Sequence, residues 1–184
     1  LLIAAAALFA CNENENPANR TGTLKLGYAV EQRELKTGVS SDTTMPQNTP
    51  KQIVITINDQ SGKTVLSGKR FDLIKIGDEY YSKSILLKSG NNTLEEFMVI
   101  DSMDQALYIA PKSGSKLAGF IDHPLPQSFQ VEKDSEKELH VQVMPAYLGS
   151  GSEFGYVSFP FEVVVPATNI GLGLCGTYEE DKKR

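Results

Sequence analysis

Tryptophan is absent from these 184 residues, and cysteine and histidine occur twice each. Without tryptophan, any surface that stacks on sugar rings has to be made of tyrosine. With so few thiols and imidazoles, zinc has no ready set of ligands: neither Cys-x-x-Cys nor His-x-x-x-His spacing occurs. His140 falls on an outward position of a strand pattern, and His123 precedes Pro124 in a turn; both read as ordinary surface residues. EF-hand spacing is missing as well. Calcium would have to draw on turn acids such as Asp101, Asp104 and Asp122, which read as solvated. No metal or cofactor is expected. Positive charge is also in deficit, with 18 Lys/Arg against 23 Asp/Glu and a net charge of -5. Nucleic-acid and anionic-membrane surfaces need clustered Lys and Arg, so this bulk balance argues against both.

Catalytic signatures are equally scarce. There is no Gly-x-Ser-x-Gly elbow, and Gly149-Ser150-Gly151-Ser152 lacks its spacing. Ser113 and Lys116 form a bare Ser-x-x-Lys, and Lys36-Thr37-Gly38 spells Lys-Thr-Gly. Their order is the reverse of that in penicillin-binding enzymes, and both fall in loops. No P-loop occurs, and Gly171-Leu172-Gly173-Leu174-Cys175-Gly176 meets the loose dinucleotide spacing with no helix after it. Glu95 and Glu96 are neighbours on a strand, which puts them on opposite faces and removes them as an acid/base pair. The same alternation divides Tyr80 from Tyr81, one toward the core and one outward. An enzyme is the least favoured reading.

What the chain has in abundance is period-2 alternation. Leu24, Leu26, Tyr28 and Val30 share one face, as do Ile53, Ile55 and Ile57, then Leu139, Val141 and Val143, then Phe159, Phe161, Val163 and Val165. Further strands are read at 70–76, 81–87, 93–101, 106–110 and 128–132. Turn-forming clusters separate them, among them Asn58-Asp59-Gln60-Ser61-Gly62 and Ser89-Gly90-Asn91-Asn92. After residue 11 no segment carries a 3.6-residue apolar stripe, with one helical turn expected near 116–120. The expected fold is all-β, an antiparallel β-sandwich occupying residues 23–147. Residues 148–184 form a further β segment, which either completes that sandwich or opens a second domain. The polar stretch 31–50 is long for a loop in a compact domain and is expected to carry function.

Residues 1–10 are purely apolar and end in Leu8-Phe9-Ala10-Cys11, followed by Asn12-Glu13-Asn14-Glu15-Asn16. The run is about the length of a signal-peptide core and well short of the ~20 residues a membrane span needs. It resembles the bacterial lipobox, and so implies that residues 1–10 are a signal-peptide remnant and that Cys11 is the lipidation site. Residues 11–22 then form a lipidated tether, whose Asn, Glu, Pro and Gly bury too little apolar surface to order themselves. With lipid on Cys11, Cys175 has no partner in this chain and reads as a small buried hydrophobe.

Ser89-Gly90-Asn91-Asn92-Thr93-Leu94-Glu95-Glu96-Phe97-Met98-Val99 is similar to a hairpin found in small prealbumin-like and immunoglobulin-like domains. With Tyr108-Ile109-Ala110-Pro111, Pro124-Leu125-Pro126-Gln127-Ser128-Phe129 and Glu153-Phe154-Gly155-Tyr156-Val157-Ser158-Phe159, it resembles uncharacterised surface lipoproteins of Bacteroidota. Fimbrillin-associated anchor proteins share the general plan. The resemblance covers most of residues 21–165 and implies an outer-membrane address and a non-catalytic sandwich. Asp42-Thr43-Thr44 and Asp101-Ser102-Met103 resemble the O-glycosylation sequon of that phylum, which makes Thr43 and Ser102 candidate modification sites. The expected function is a lipid-anchored binding or structural module for adhesion or surface assembly. A glycan-binding accessory lipoprotein is the alternative. The expected partners are the membrane through Cys11 and another envelope protein or a glycan, but no nucleic acid.

Overall fold

The computed structural model describes residues 20–31 and 48–163, and they are all-β. Ten strands follow in order: β1 (Thr21–Val30), β2 (Gln52–Asp59), β3 (Thr64–Ile76), β4 (Glu79–Ser82), β5 (Ile85–Lys88), β6 (Gly90–Ile100), β7 (Gln105–Ile109), β8 (Gln127–Val131), β9 (Glu136–Pro145) and β10 (Glu162–Val163). Two short 3-10 turns, Ala118–Phe120 and Ala146–Leu148, supply the rest of the regular structure. The first lies where the helical turn is expected.

The strands close on themselves. Following the pairings β6, β7, β9, β1, β4, β3 and β2 leads back to β6, giving a ring of seven strands. Expectation and structure differ here in two ways. Two separate stacked sheets are not what the pairings show, because β3 and β9 each belong to both walls. β3 pairs with β2 along residues 64–72 and with β4 along 73–76. β9 pairs with β1 as far as Val143 and with β7 at Met144 and Pro145. Strands that change partner along their length turn the corners between walls. The pairing is also not antiparallel throughout. β1 and β9 run parallel over eight registered pairs, from Thr23↔Glu136 to Val30↔Val143, and β10 runs parallel to β7. Alternation reports which way side chains face, and it is blind to the direction of the strand next door.

Both faces of one wall are buried, and this gives the molecule two apolar layers. The interior of the ring holds Leu24 and Leu26 of β1, Ile53, Ile55 and Ile57 of β2, Phe97 and Val99 of β6, and Val141 and Val143 of β9. On the outer face of β2, β6 and β7, a second cluster gathers Val54, Met98, Ile100 and Ile109 under Leu117, Ile121, Phe154 and Tyr156. Residues 117–121 and 146–163 thus cover that wall, with Phe159, Phe161 and Val163 at its margin. The Tyr156 hydroxyl donates to the Ala110 carbonyl at 2.9 Å. Among the described residues, the opposite wall, β1, β4 and β5 with the first half of β9, has no such cover. Its outer face carries Lys25, Tyr81, Glu138 and His140 around Gly27, where a Cβ would lie 3.1 Å from both rings.

One stretch of the ring is left unzipped. β4 and β5 follow one another along β1, but β3 stays with them only at 73–76, and the Lys83 N–H to Asp72 carbonyl bond is the last beyond that pairing. Among the described residues, the first half of β3 and the outer side of β5 therefore flank a gap with no strand partner on that side.

Candidate functional site

Seven positions along β1, about 23 Å at strand rise, separate Thr21 at its start from Tyr28 near its end. Thr21 lies at one end, which we call the foot, beside Lys88. Tyr28 lies at the other, the head, beside Val141.

Three more tyrosines meet Tyr28 at the head. The alternation of β1 turns Tyr28 inward, where its ring lies 6.2 Å from Tyr80 in a stacked arrangement and 5.8 Å from Tyr108. Tyr80 is placed by the tight turn from Ile76 to Glu79, in which Gly77 takes φ +64°. Tyr108 comes from β7. Tyr147 sits in the 3-10 turn after Pro145 and is close enough to Tyr108 to influence its ionisation. The floor is Phe97, fully buried and 6.4 Å from the Tyr28 ring. Lys75 holds its ammonium 5.7 Å above the Tyr80 ring.

All four tyrosines are half-buried. The hydroxyls of Tyr28, Tyr80 and Tyr108 have no hydrogen-bond partner among the described residues. Burial raises the Tyr28 phenol, and Tyr108 and Tyr80 raise it further. Burial likewise raises Tyr108, with Tyr147 and Tyr80 adding to it. These phenols stay neutral across the physiological range, and each presents an O–H that can donate and accept. Around the head stand three amide–carboxylate pairs: Gln52 to Asp72 at 2.9 Å, Asn48 to Asp101 at 2.7 Å and Gln142 to Glu31 at 2.9 Å. β1 ends and β2 begins at this same end, on strands that are not neighbours in the ring.

Other polar clusters are internally satisfied. On the uncovered wall Lys25 lies 3.4 Å from Glu138 and 4.2 Å above the Tyr81 ring, and His140 lies 2.8 Å from Glu138. The Tyr81 hydroxyl donates to Glu79, which pushes that phenol up to about 12. His140 is thus outward, as the alternation reads it, and carries a carboxylate partner. Tyr81 faces outward yet is covered by Lys25 and His140. His123 uses its backbone in a turn, its N–H donating to Gln142 at 2.8 Å.

The pair Glu95 and Glu96 corrects the alternation argument. β2 and β6 slip by one residue between Thr56↔Glu96 and Ile57↔Leu94, which leaves Glu95 as an extra residue in β6. Such a bulge breaks strict alternation. Both carboxylates reach outer-face partners on β2: Thr56 donates to Glu96 at 2.7 Å and Asn58 to Glu95 at 3.0 Å. Lys112 adds a 2.9 Å ion pair to Glu96 while its ammonium lies 4.5 Å over the Tyr156 ring. Burial would raise the Glu96 carboxyl, but the bonds from Thr56 and Lys112 outweigh it and the net direction is down. A carboxylate held ionised by two donors is a structural link between β2, β6 and the covering segment.

Cys11, Cys175 and Thr43 lie outside the described residues. Ser102 is exposed at the tip of the β6–β7 turn. The Asp101 before it is buried, accepting the Met103 and Gln105 N–H groups at 2.8 and 2.9 Å. Asp104 pairs with Arg70 at 2.6 Å. Among the described residues no group of three His, Cys, Asp or Glu could hold a metal. Sequence reasoning treated tyrosines singly and missed their convergence, because nothing in the spacing of residues 28, 80, 108 and 147 signals it.

No protein-family model and no curated protein matches the chain. Among solved structures it is similar to a leucine-rich repeat protein from Bacteroides thetaiotaomicron, at 16% identity and a TM-score of 0.43. The match covers 67% of this chain and 12% of that one. So loose a likeness carries neither fold nor function across.

Proposed function

We propose that this protein is a lipid-anchored, non-catalytic binding module of the cell envelope, and that it receives a glycan at its tyrosine-lined head. The observation that carries this reading is the convergence of Tyr28, Tyr80, Tyr108 and Tyr147 with three hydroxyls unpaired among the described residues. Sugar rings offer C–H faces to aromatic rings and hydroxyls to polar groups, and tyrosine meets both needs. The fixed amide–carboxylate pairs beside the cluster supply planar donors and acceptors that lose little entropy on binding. The anchor is supported by the lipobox-like run ending in Cys11. Two walls joined through β3 and β9 support reading the ring as a flattened relative of the immunoglobulin/prealbumin-like sandwich, in keeping with the resemblance to Bacteroidota surface lipoproteins.

Screening the chain against a glycan array, with Tyr80→Ala and Tyr147→Ala alongside, tests the head. Retention of a defined set of glycans is expected, and each variant should weaken it about tenfold, the range set by losing one packed aromatic contact. Binding that both variants leave intact, with their circular dichroism unchanged, would place the ligand elsewhere. Labelling with a palmitate analogue, lost in Cys11→Ala, tests the anchor independently.

A further inference from the structure

At the foot, the β3 and β5 flank is richer in Lys and Arg than the acidic chain as a whole. Asp59 joins Lys63 in the β2–β3 turn, and Glu132, Asp134 and Glu136 stand across β1 at the β8–β9 turn. Residues 60–90 contain six Lys/Arg (Lys63, Lys69, Arg70, Lys75, Lys83 and Lys88) against three acids, Asp72, Asp78 and Glu79, in a chain of net charge -5. The structure sorts them. Arg70 is held by Asp104 and Lys83 by Asp72, and Lys75 belongs to the head. What remains is Lys63 in the β2–β3 turn, Lys69 on β3 and Lys88 on β5. All three are exposed, and Lys69 and Lys88 make no ion pair among the described residues. They border the gap between β3 and β5. The two turns at the foot are neighbours, since the Gln60 side chain lies 3.4 Å from where a Gly90 Cβ would be.

Two large apolar side chains stand among these lysines. Leu86 on β5 is 68% exposed and Val65 on β3 is 42% exposed, although their strand neighbours Leu87 and Leu66 turn inward. Lysine on a free strand edge keeps other strands away and needs no ligand to explain it. Exposed Leu and Val beside it are not part of that device.

The third observation is where the chain enters. The Arg20 carbonyl accepts the Ser89 N–H at 2.9 Å, so the described chain begins at the foot, next to Lys88 and Leu86. From Cys11 to Arg20 is nine residues, at most ~32 Å of chain. A membrane holding lipid on Cys11 is therefore within reach of the foot, with the tyrosine head ~23 Å farther along β1.

We propose that the foot, through Lys63, Lys69, Lys88, Leu86 and Val65, rests on an anionic phospholipid surface. This rests on the lipid-anchor reading for its geometry and supplies that anchor with an orientation. One acyl attachment fixes a protein to a bilayer but leaves it free to tumble on its tether. A small basic and apolar contact beside the tether holds the opposite end outward. It also revises the argument from bulk charge, since net charge says nothing of how the lysines are distributed.

The test uses the chain from residue 11 onward carrying Cys11→Ser, so that neither an acyl group nor the apolar run 1–10 contributes. It is sedimented with vesicles of phosphatidylcholine alone or mixed with phosphatidylglycerol. Binding to the mixed vesicles only is expected, weakening with added salt. Lys69→Glu with Lys88→Glu should weaken it at least tenfold, and Leu86→Ser severalfold, while Lys51→Glu at the head leaves it unchanged. Equal sedimentation with both vesicles, or no loss in the double variant, overturns the proposal. So does binding to polyglutamate beads without binding to vesicles, which would point to an acidic protein partner. Palmitate labelling of the native chain reports on Cys11 alone, so the anchor and the foot can fail separately.

Discussion

At the scale of single residues, the interior is tuned by volume and the surface by partners. Phe97 is fully buried between the ring interior and the tyrosine head. Phe97→Ala is expected to cost about 3–5 kcal/mol, read as a lowered urea midpoint with an unchanged slope. Glu153 is tuned differently. Its carboxylate accepts from Lys116 at 2.6 Å and from the Ser150 N–H at 2.8 Å, tying together the two segments that cover the outer wall. These bonds, led by Lys116, lower its pKa from 4.5 to about 2. A carboxyl whose folded value is depressed adds stability above its ordinary value and loses it as pH falls toward the folded one. Glu153→Gln should therefore be less stable than the parent at pH 7. The difference should close between about pH 4.5 and pH 2 in thermal melts taken across that window. Neither effect could be read from sequence: Phe97 is one of eight phenylalanines, and Glu153 is one acid in a Gly/Ser turn.

At the scale of elements, alternation gave facing directions reliably wherever the strand is regular. Leu24, Leu26, Tyr28 and Val30 all turn inward as read, and so do Ile53, Ile55 and Ile57. It failed at Glu95, where a bulge inserts a residue that no composition signal marks. Bulges also explain how β3 protects its free edge. Gly68, with φ +54°, lies where the β2–β3 register shifts, and the exposed Lys69 follows it in register with Ile55. A kink and a charge at the edge both discourage another strand from adding. Lys69→Val should therefore raise self-association, seen as a dimer fraction growing with concentration in analytical ultracentrifugation. Gly22 gives a sharper local prediction. A Cβ there would fall 2.1 Å from the Glu132 carbonyl oxygen, so Gly22→Ala must push β1 away from the β8–β9 turn. A loss of several °C in Tm is expected, since an overpacked site typically costs 1–3 kcal/mol.

At the scale of the whole molecule, closure depends on contacts distant in sequence. β1 and β9 pair residues more than a hundred positions apart, and β1 meets β4 at the single registered pair Gly27↔Tyr81. Contacts of such separation form late, because the loop they close must be ordered first. In native-state hydrogen exchange the amides of β4 and β5 should exchange well before those of β2 and β6, which are covered on both faces. Protection of β4 equal to that of β6 would contradict this. The sequence by itself determined the all-β class, the inward faces of the regular strands and the turns between them. Each of these follows from the two-residue repeat of a strand and from residues that tolerate tight turns. Only the tertiary structure decided that the strands close into a ring, that β1 and β9 run parallel, and that four tyrosines and a basic foot stand at opposite ends of β1. The reason is physical: alternation tells a side chain whether it faces in or out, while strand partners are chosen by the packing of the whole core. Residues 28, 80, 108 and 147 become neighbours only after that choice is made.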